Sequence, residues 1–182
     1  MKILFNIIFF ILFSTSLGAE IIKDIKVNGN KRISQDTIIV LGQINTTDDF
    51  NDNKLNETLK KLYNSNFFSN IDISISNETL IINVIENPII EDIRITGIKS
   101  QSIVKNLEEN IFLKNRISFT KDLLNRDINL INNILKSNGY YFAKIKPSIF
   151  SNGELNSIEV EFEIDLGEKA KIKEITFIGD KK

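Results

Sequence analysis

Ile25-Lys26-Val27-Asn28-Gly29-Asn30-Lys31-Arg32 is the stretch that decides the fold, because it returns twice. It comes back as Ile93-Arg94-Ile95-Thr96-Gly97-Ile98-Lys99-Ser100 and again as Ile175-Thr176-Phe177-Ile178-Gly179-Asp180-Lys181-Lys182. Each copy alternates apolar and polar residues and ends at a glycine, the pattern of a half-buried strand running into a turn. A second landmark repeats between the copies: Leu62-Tyr63-Asn64-Ser65-Asn66-Phe67-Phe68 and Leu135-Lys136-Ser137-Asn138-Gly139-Tyr140-Tyr141. In both, a helix end and a turn precede two aromatics. Self-similarity at a period of roughly 70–80 residues means tandem units, each near the lower size limit for a self-supporting core.

The first unit reads from Glu20 to Asn87. After its opening strand, Ser34 is a suitable N-cap with Asp36 in the first turn, and Gly42 is placed to close the helix at C′. A second helix begins near Asn51 to Asn53. Leu55, Leu59, Leu62 and Tyr63 fall on one face of its 3.6-residue period, which is expected to be core. Ile71, Ile73 and Ile75 then alternate with Asp72 and Ser74. Ser76-Asn77-Glu78 turns the chain into the strand Leu80-Ile81-Ile82-Asn83-Val84-Ile85, and Asn87-Pro88 stops it. The second unit, Pro88 to about Gly167, keeps this order. Ile103 and Leu107 mark its first helix, and Leu124, Ile128, Ile131 and Leu135 mark its second, after Thr120 or Asp122. Ile145 to Phe150 is a strand. Ile158, Val160, Phe162 and Ile164 alternate with Glu159, Glu161, Glu163 and Asp165, the cleanest half-buried strand in the chain. Each unit is therefore expected to be α+β, in the order strand, helix, helix, strand, strand, with the helices covering one face of the sheet. Residues 168–182 open a third unit with one strand, which cannot bury itself, so the chain is expected to be part of something longer.

Composition narrows the chemistry. The chain has 182 residues, a formal net charge of −1, and neither histidine nor cysteine. Zinc-finger, haem, iron–sulfur, thiol and histidine-base chemistry are all excluded. No basic excess is available to neutralise phosphates, so nucleic acid is a poor partner. Residues 1–19 read as a secretory signal: one charge at Lys2, an apolar run from Ile3 to Phe13 shorter than the ~20 residues of a membrane span, then small residues ending at Gly18-Ala19. The rest of the chain is expected to work outside the cytoplasm.

The tandem order of these units, the Val27-Asn28-Gly29-Asn30 entry, the aromatic centre at Leu62 to Ile73 and the close at Glu86-Asn87-Pro88 resemble the POTRA repeats of the outer-membrane barrel-assembly family. Asn66 departs from the pattern, standing where glycine is usual, although asparagine also tolerates positive φ. The resemblance covers Ala19 to Lys182. It implies a three-stranded mixed sheet under two helices in each repeat, a periplasmic position, and a C-terminal β-barrel in the outer membrane beyond this sequence. It also implies partners: unfolded outer-membrane proteins, periplasmic chaperones and accessory lipoproteins. Neither covalent chemistry nor a cofactor is implied. Other POTRA-bearing transporters, of the TamA type or the two-partner secretion type, are the alternative. An exported hydrolase is the alternative of another class.

The candidate site follows from strand order. If the third strand of a unit also pairs with the first, the second strand lies at the sheet's edge, and Pro147 fits such a place. Its outer backbone groups are then open to an extended client, which adds as another strand by main-chain bonds largely independent of sequence. The candidate peptide-binding residues are Ile71, Asp72, Ile73 and Ser74 in the first unit and Ile145, Lys146 and Ser148 in the second. No catalytic, cofactor or metal residues are assigned. Glu159, Glu161, Glu163 and Asp165 line one strand face and are expected to be solvated. One ring each of Phe67/Phe68 and Tyr140/Tyr141 is expected to enter the core.

Overall fold

The structure, a computed structural model, describes residues 20–171, 173–176 and 179. The expected signal segment lies outside the described residues. So does most of the expected third strand: Ile175, Thr176 and Gly179 are described and belong to no strand. The described chain forms two compact units. One takes the chain up to Ser65 together with Asn70–Ile85, and the other takes Asn66–Ser69 and the chain from Glu86 onward.

In the first unit as the sequence repeat bounds it, Glu20 to Asn87, the strands are β1 (Glu20–Ile21), β2 (Asp24–Asn28), β3 (Asp49–Phe50), β4 (Phe68–Ser76) and β5 (Thr79–Glu86), of which Phe68, Ser69 and Glu86 group with the second compact body, and the helices are α1 (Gln35–Gly42) and α2 (Asp52–Asn64). The main sheet has the order β2-β5-β4. β2 runs parallel to β5, with Ile25 opposite Leu80 and Val27 opposite Ile82. Leu80, Ile82 and Val84 of β5 are buried while Ile85 is exposed, so the apolar run is a central strand with one wet face. Ile22, Ile38, Ile44, Phe50, Leu62 and Ile71 are buried with them in this unit, each fully buried side chain stabilising it by ~1.5–3 kcal/mol.

Helix caps follow the chemistry of the sequence. Ser34 and Asn51 accept from the backbone N–H groups of Thr37 and Lys54. The C-terminal end of α1 differs from expectation. Gly42 is still helical, and Gln43 takes the left-handed conformation at φ 50°. Gly42 is small for another reason: a Cβ there would lie 2.9 Å from the Ile44 side chain and 3.2 Å from that of Thr58.

The second unit contains β6 (Ile89–Thr96), α3 (Gln101–Asn110), α4 (Lys121–Ser137), β7 (Lys144–Asn152) and β8 (Ser157–Asp165). Its sheet has the order β6-β8-β7, the same topology as the first. β6 is parallel to β8 and β7 antiparallel to it. Leu107, Ile131 and Leu135 from the helices meet Ile90, Val160 and Phe162 from the sheet in one apolar core. Asp127 of α4 is fully buried. Its carboxylate accepts from the N–H groups of Phe112 at 2.7 Å and Leu113 at 2.9 Å, which fixes the loop between the helices.

Two elements were not foreseen. β1 and β3 form a two-stranded antiparallel pair, and the second unit repeats it as a single bridge between Ile89 and Ser118. In both units the bridged segment leads straight into the helix cap, at Asn51 and Thr120.

The glycines of the repeated strand have a common cause. Gly29 and Gly97 sit at φ +84° and +87°. A Cβ on either would overlap the carbonyl oxygen of the neighbouring strand, Val84 and Ile164 respectively. Asn66 also adopts positive φ, 61°, where the second unit has Gly139 at 90°. This turn is tied to the unit's close: the Asn87 N–H donates to Phe67 O at 2.7 Å and the Asn87 amide to Asn66 O at 2.8 Å.

One ring of each aromatic pair turns to a core: Phe68 is buried, and Tyr140, partly buried, packs against the core of the second unit, while Tyr141 is 59% exposed. β7 starts at Lys144, so Tyr141 lies in a turn where strand alternation does not operate.

Candidate functional site

β4 and β7 each stand at one end of their sheets, with β2 and β6 at the other ends. Asn77 and Glu78 form a two-residue turn, both at positive φ, between β4 and β5. Such a hairpin makes Ser76 and Thr79 a hydrogen-bonded pair, and pairing then alternates along the ladder. Ile71, Ile73 and Ile75 therefore point their N–H and C=O groups away from β5, whereas Asp72 and Ser74 spend theirs on the sheet. The Ile71 N–H agrees with this register, since it donates outward to the Tyr63 hydroxyl at 3.2 Å.

A groove of about 350 Å³ runs beside this edge, lined by Asp52, Leu55, Asn56 and Leu59 of α2 and by Ile71, Asp72 and Ile73 of β4. It corrects the reading of α2. The buried positions of that helix are Thr58 and Leu62, and Leu55 and Leu59 are only half-buried. The apolar face is rotated so that its flank overhangs the edge strand instead of closing on it. Leu59→Ala is accordingly expected to cost about 1–2 kcal/mol, below the ~2–5 kcal/mol of a fully buried leucine. The shift in urea midpoint measures it, with Leu62→Ala as the buried comparison.

In the second unit, Pro147 pairs opposite Phe162. A proline is tolerated there only if its missing donor faces outward. By alternation Ile145, Ile149 and Ser151 also face outward, while Lys146 and Ser148 bond to β8 opposite Glu163 and Glu161. Of the seven sequence-derived candidates, only Ile71, Ile73 and Ile145 thus present outward backbone donors. Ile75, Leu55, Leu59 and Tyr63 join the edge without having been singled out for it. The two-residue turn was the available signal for Ile75, because it fixes which residues face out.

The carboxylates of β8 face the open side of the sheet and pair across it. Glu159 meets Arg94, whose Nε also lies 3.3 Å from Asp92. Glu163 is 3.4 Å from the Lys146 ammonium, and Glu161 accepts from the Thr96 hydroxyl. They are engaged singly by neighbouring strands and do not converge. Among the described residues no group of three or more acidic side chains is placed to hold a metal ion. Among them, too, no helix is long and apolar enough to cross a membrane.

Two sheet-and-helix units with parallel outer pairing and the second strand at the edge define a class. The POTRA family, described as a surface antigen variable number repeat, matches residues 20–87 and 88–167, and the chain belongs to it. It is similar to the outer membrane protein assembly factor BamA of Neisseria meningitidis, 29% identical over 162 residues that make up 87% of this chain and 20% of that protein. It is also similar to BamA of Buchnera aphidicola, 26% identical over 96% of this chain and 29% of that protein. The chain therefore spans less than a third of the length of these relatives. Among solved structures, the N-terminal domain of Omp85 from Thermosynechococcus elongatus superposes with a TM-score of 0.54 at 14% identity, covering 81% of this chain and 63% of that one. POTRA1-2 of Omp85 from Anabaena gives 0.50 at 15% identity, covering 82% and 97%. At these identities the two structures share the fold.

Proposed function

We propose that this chain is the periplasmic POTRA region of an outer-membrane protein assembly factor, with residues 20–87 and 88–167 as its repeats. Its part is to hold unfolded outer-membrane β-barrel proteins by strand addition while partner subunits, chaperones and accessory lipoproteins among them, dock elsewhere on the repeats. One observation carries this reading: β4 ends its sheet with outward backbone groups at Ile73 and Ile75, beside a groove whose walls include Leu55 and Leu59. Main-chain bonds accept a client of almost any sequence, and the groove takes an apolar side chain from alternate client residues. Each backbone bond nets only ~0.5–1.5 kcal/mol, so a short addition is weak and reversible, which handing a client onward requires. The work is binding, and no bond of the client is made or broken.

The test exploits what β7 already contains. Ile73→Pro removes an outward donor while leaving the β4–β5 ladder intact, much as Pro147 does in the second unit. Binding of an alternating apolar–polar peptide to the first unit should fall roughly tenfold in an NMR titration, with the circular dichroism spectrum unchanged. Unchanged binding with the fold intact would remove strand addition at β4 from consideration.

A further inference from the structure

The first edge is not open along its whole length. Tyr63 is the penultimate residue of α2 and is 39% exposed. Its hydroxyl takes the Ile71 N–H, an outward donor in the first half of β4. A client strand pairing through Ile71 must displace that hydroxyl and pass the phenol ring. Ile73 and Ile75 carry no such cover. The second unit has Lys136 at the matching place, and an ammonium has donors only, so it cannot accept from a backbone N–H.

We infer that Tyr63 is a register-setting residue for the client strand: it occupies the Ile71 donor and confines strand addition on the first unit to the stretch from Ile73 onward. The inference rests on the strand-addition reading above and deepens it. A client enters with its pairing frame fixed from one end. Because the side chain of Tyr63 competes for one backbone bond, it also weakens the hold on long clients that would otherwise reach Ile71.

Tyr63→Phe tests this with little disturbance, since the ring stays and only the hydroxyl is lost. The probe is a capped peptide of repeated Val-Thr flanked by lysines, and the readout is amide hydrogen exchange by NMR on this chain. In the free protein, Ile71 should exchange roughly tenfold faster in Tyr63→Phe than in the wild type, because its acceptor is gone. With peptide, the wild type should gain protection at Ile73 and Ile75 and none at Ile71. In Tyr63→Phe the protection should extend to Ile71, and the peptide should bind about two- to tenfold more tightly, the worth of one backbone bond. Peptide protection of Ile71 already in the wild type, or none at Ile71 in the variant, overturns the register role while strand addition stands. An absence of protection at Ile73 and Ile75 in both proteins overturns the two together.

Discussion

Gly97→Ala is expected to destabilise the second unit by about 2–5 kcal/mol. Two costs add. Alanine at φ +87° pays the penalty of an L-residue in the left-handed region, ~1–2 kcal/mol. Its Cβ would also overlap the Ile164 carbonyl of the central strand β8, and relieving an overlap inside packed structure typically costs ~1–3 kcal/mol. The overlapping atom is backbone, so no side-chain rotation escapes it. Urea unfolding followed by circular dichroism should show a transition moved to markedly lower denaturant. Two-dimensional NMR should place the loss in β6 to β8 and leave the first core dispersed. Gly153→Ala serves as the control, since nothing lies within 4 Å of a Cβ there. A Gly97→Ala shift as small as that of Gly153→Ala would mean that the close approach of β6 to β8 is not a constraint.

Asp127→Ala should cost a similar amount, about 3–5 kcal/mol. The carboxylate is fully buried and its two oxygens serve two backbone donors, Phe112 and Leu113. A hydrogen bond to a charged group is worth ~1.5–3 kcal/mol, and a buried donor left without an acceptor bears its own desolvation. At Leu113 water cannot easily replace the carboxylate, because that residue and Asp127 are both fully buried. Asp127→Asn retains one acceptor oxygen and turns an NH₂ toward the other donor, so its loss should fall between wild type and alanine. Equal denaturant midpoints for the alanine variant and the wild type would show that the loop is held by its apolar residues alone.

Most of the architecture was legible because it rests on local rules. Alternation at Ile158, Val160, Phe162 and Ile164 gave β8 its buried face, and all four are at most 4% exposed. Ser34, Asn51 and Thr120 each cap a helix through their side chains, as their residue types allow. Asn66 could be read as a left-handed position because asparagine is one of the few residues that tolerates it, and its φ is 61°.

What escaped depended on tertiary geometry. The burial of α2 is centred on Thr58, a residue no hydrophobic pattern selects, so Leu59 was assigned to the core when it forms the wall of a groove. Asp127 escaped for the same reason: it is a charge on an apolar helix face, and only the folded loop brings it two donors. β1 and β3 are two residues each, too short for any periodicity to register. The placement of β4 at an edge was legible, but the division of its residues into outward and inward donors was not, because it needed the register set by Asn77 and Glu78.

Strand order has a consequence for how the molecule is made. In both units the middle strand of the sheet, β5 or β8, is the last strand of its unit along the chain. Its parallel partner is the early strand β2 or β6, and a polypeptide emerging N-terminus first holds that partner without a mate until the unit is almost finished. Ile25 must wait for Leu80, and Ile93 for Val160. Closing so wide a loop delays folding, so the sheet of each repeat is completed only once its last strand has been made.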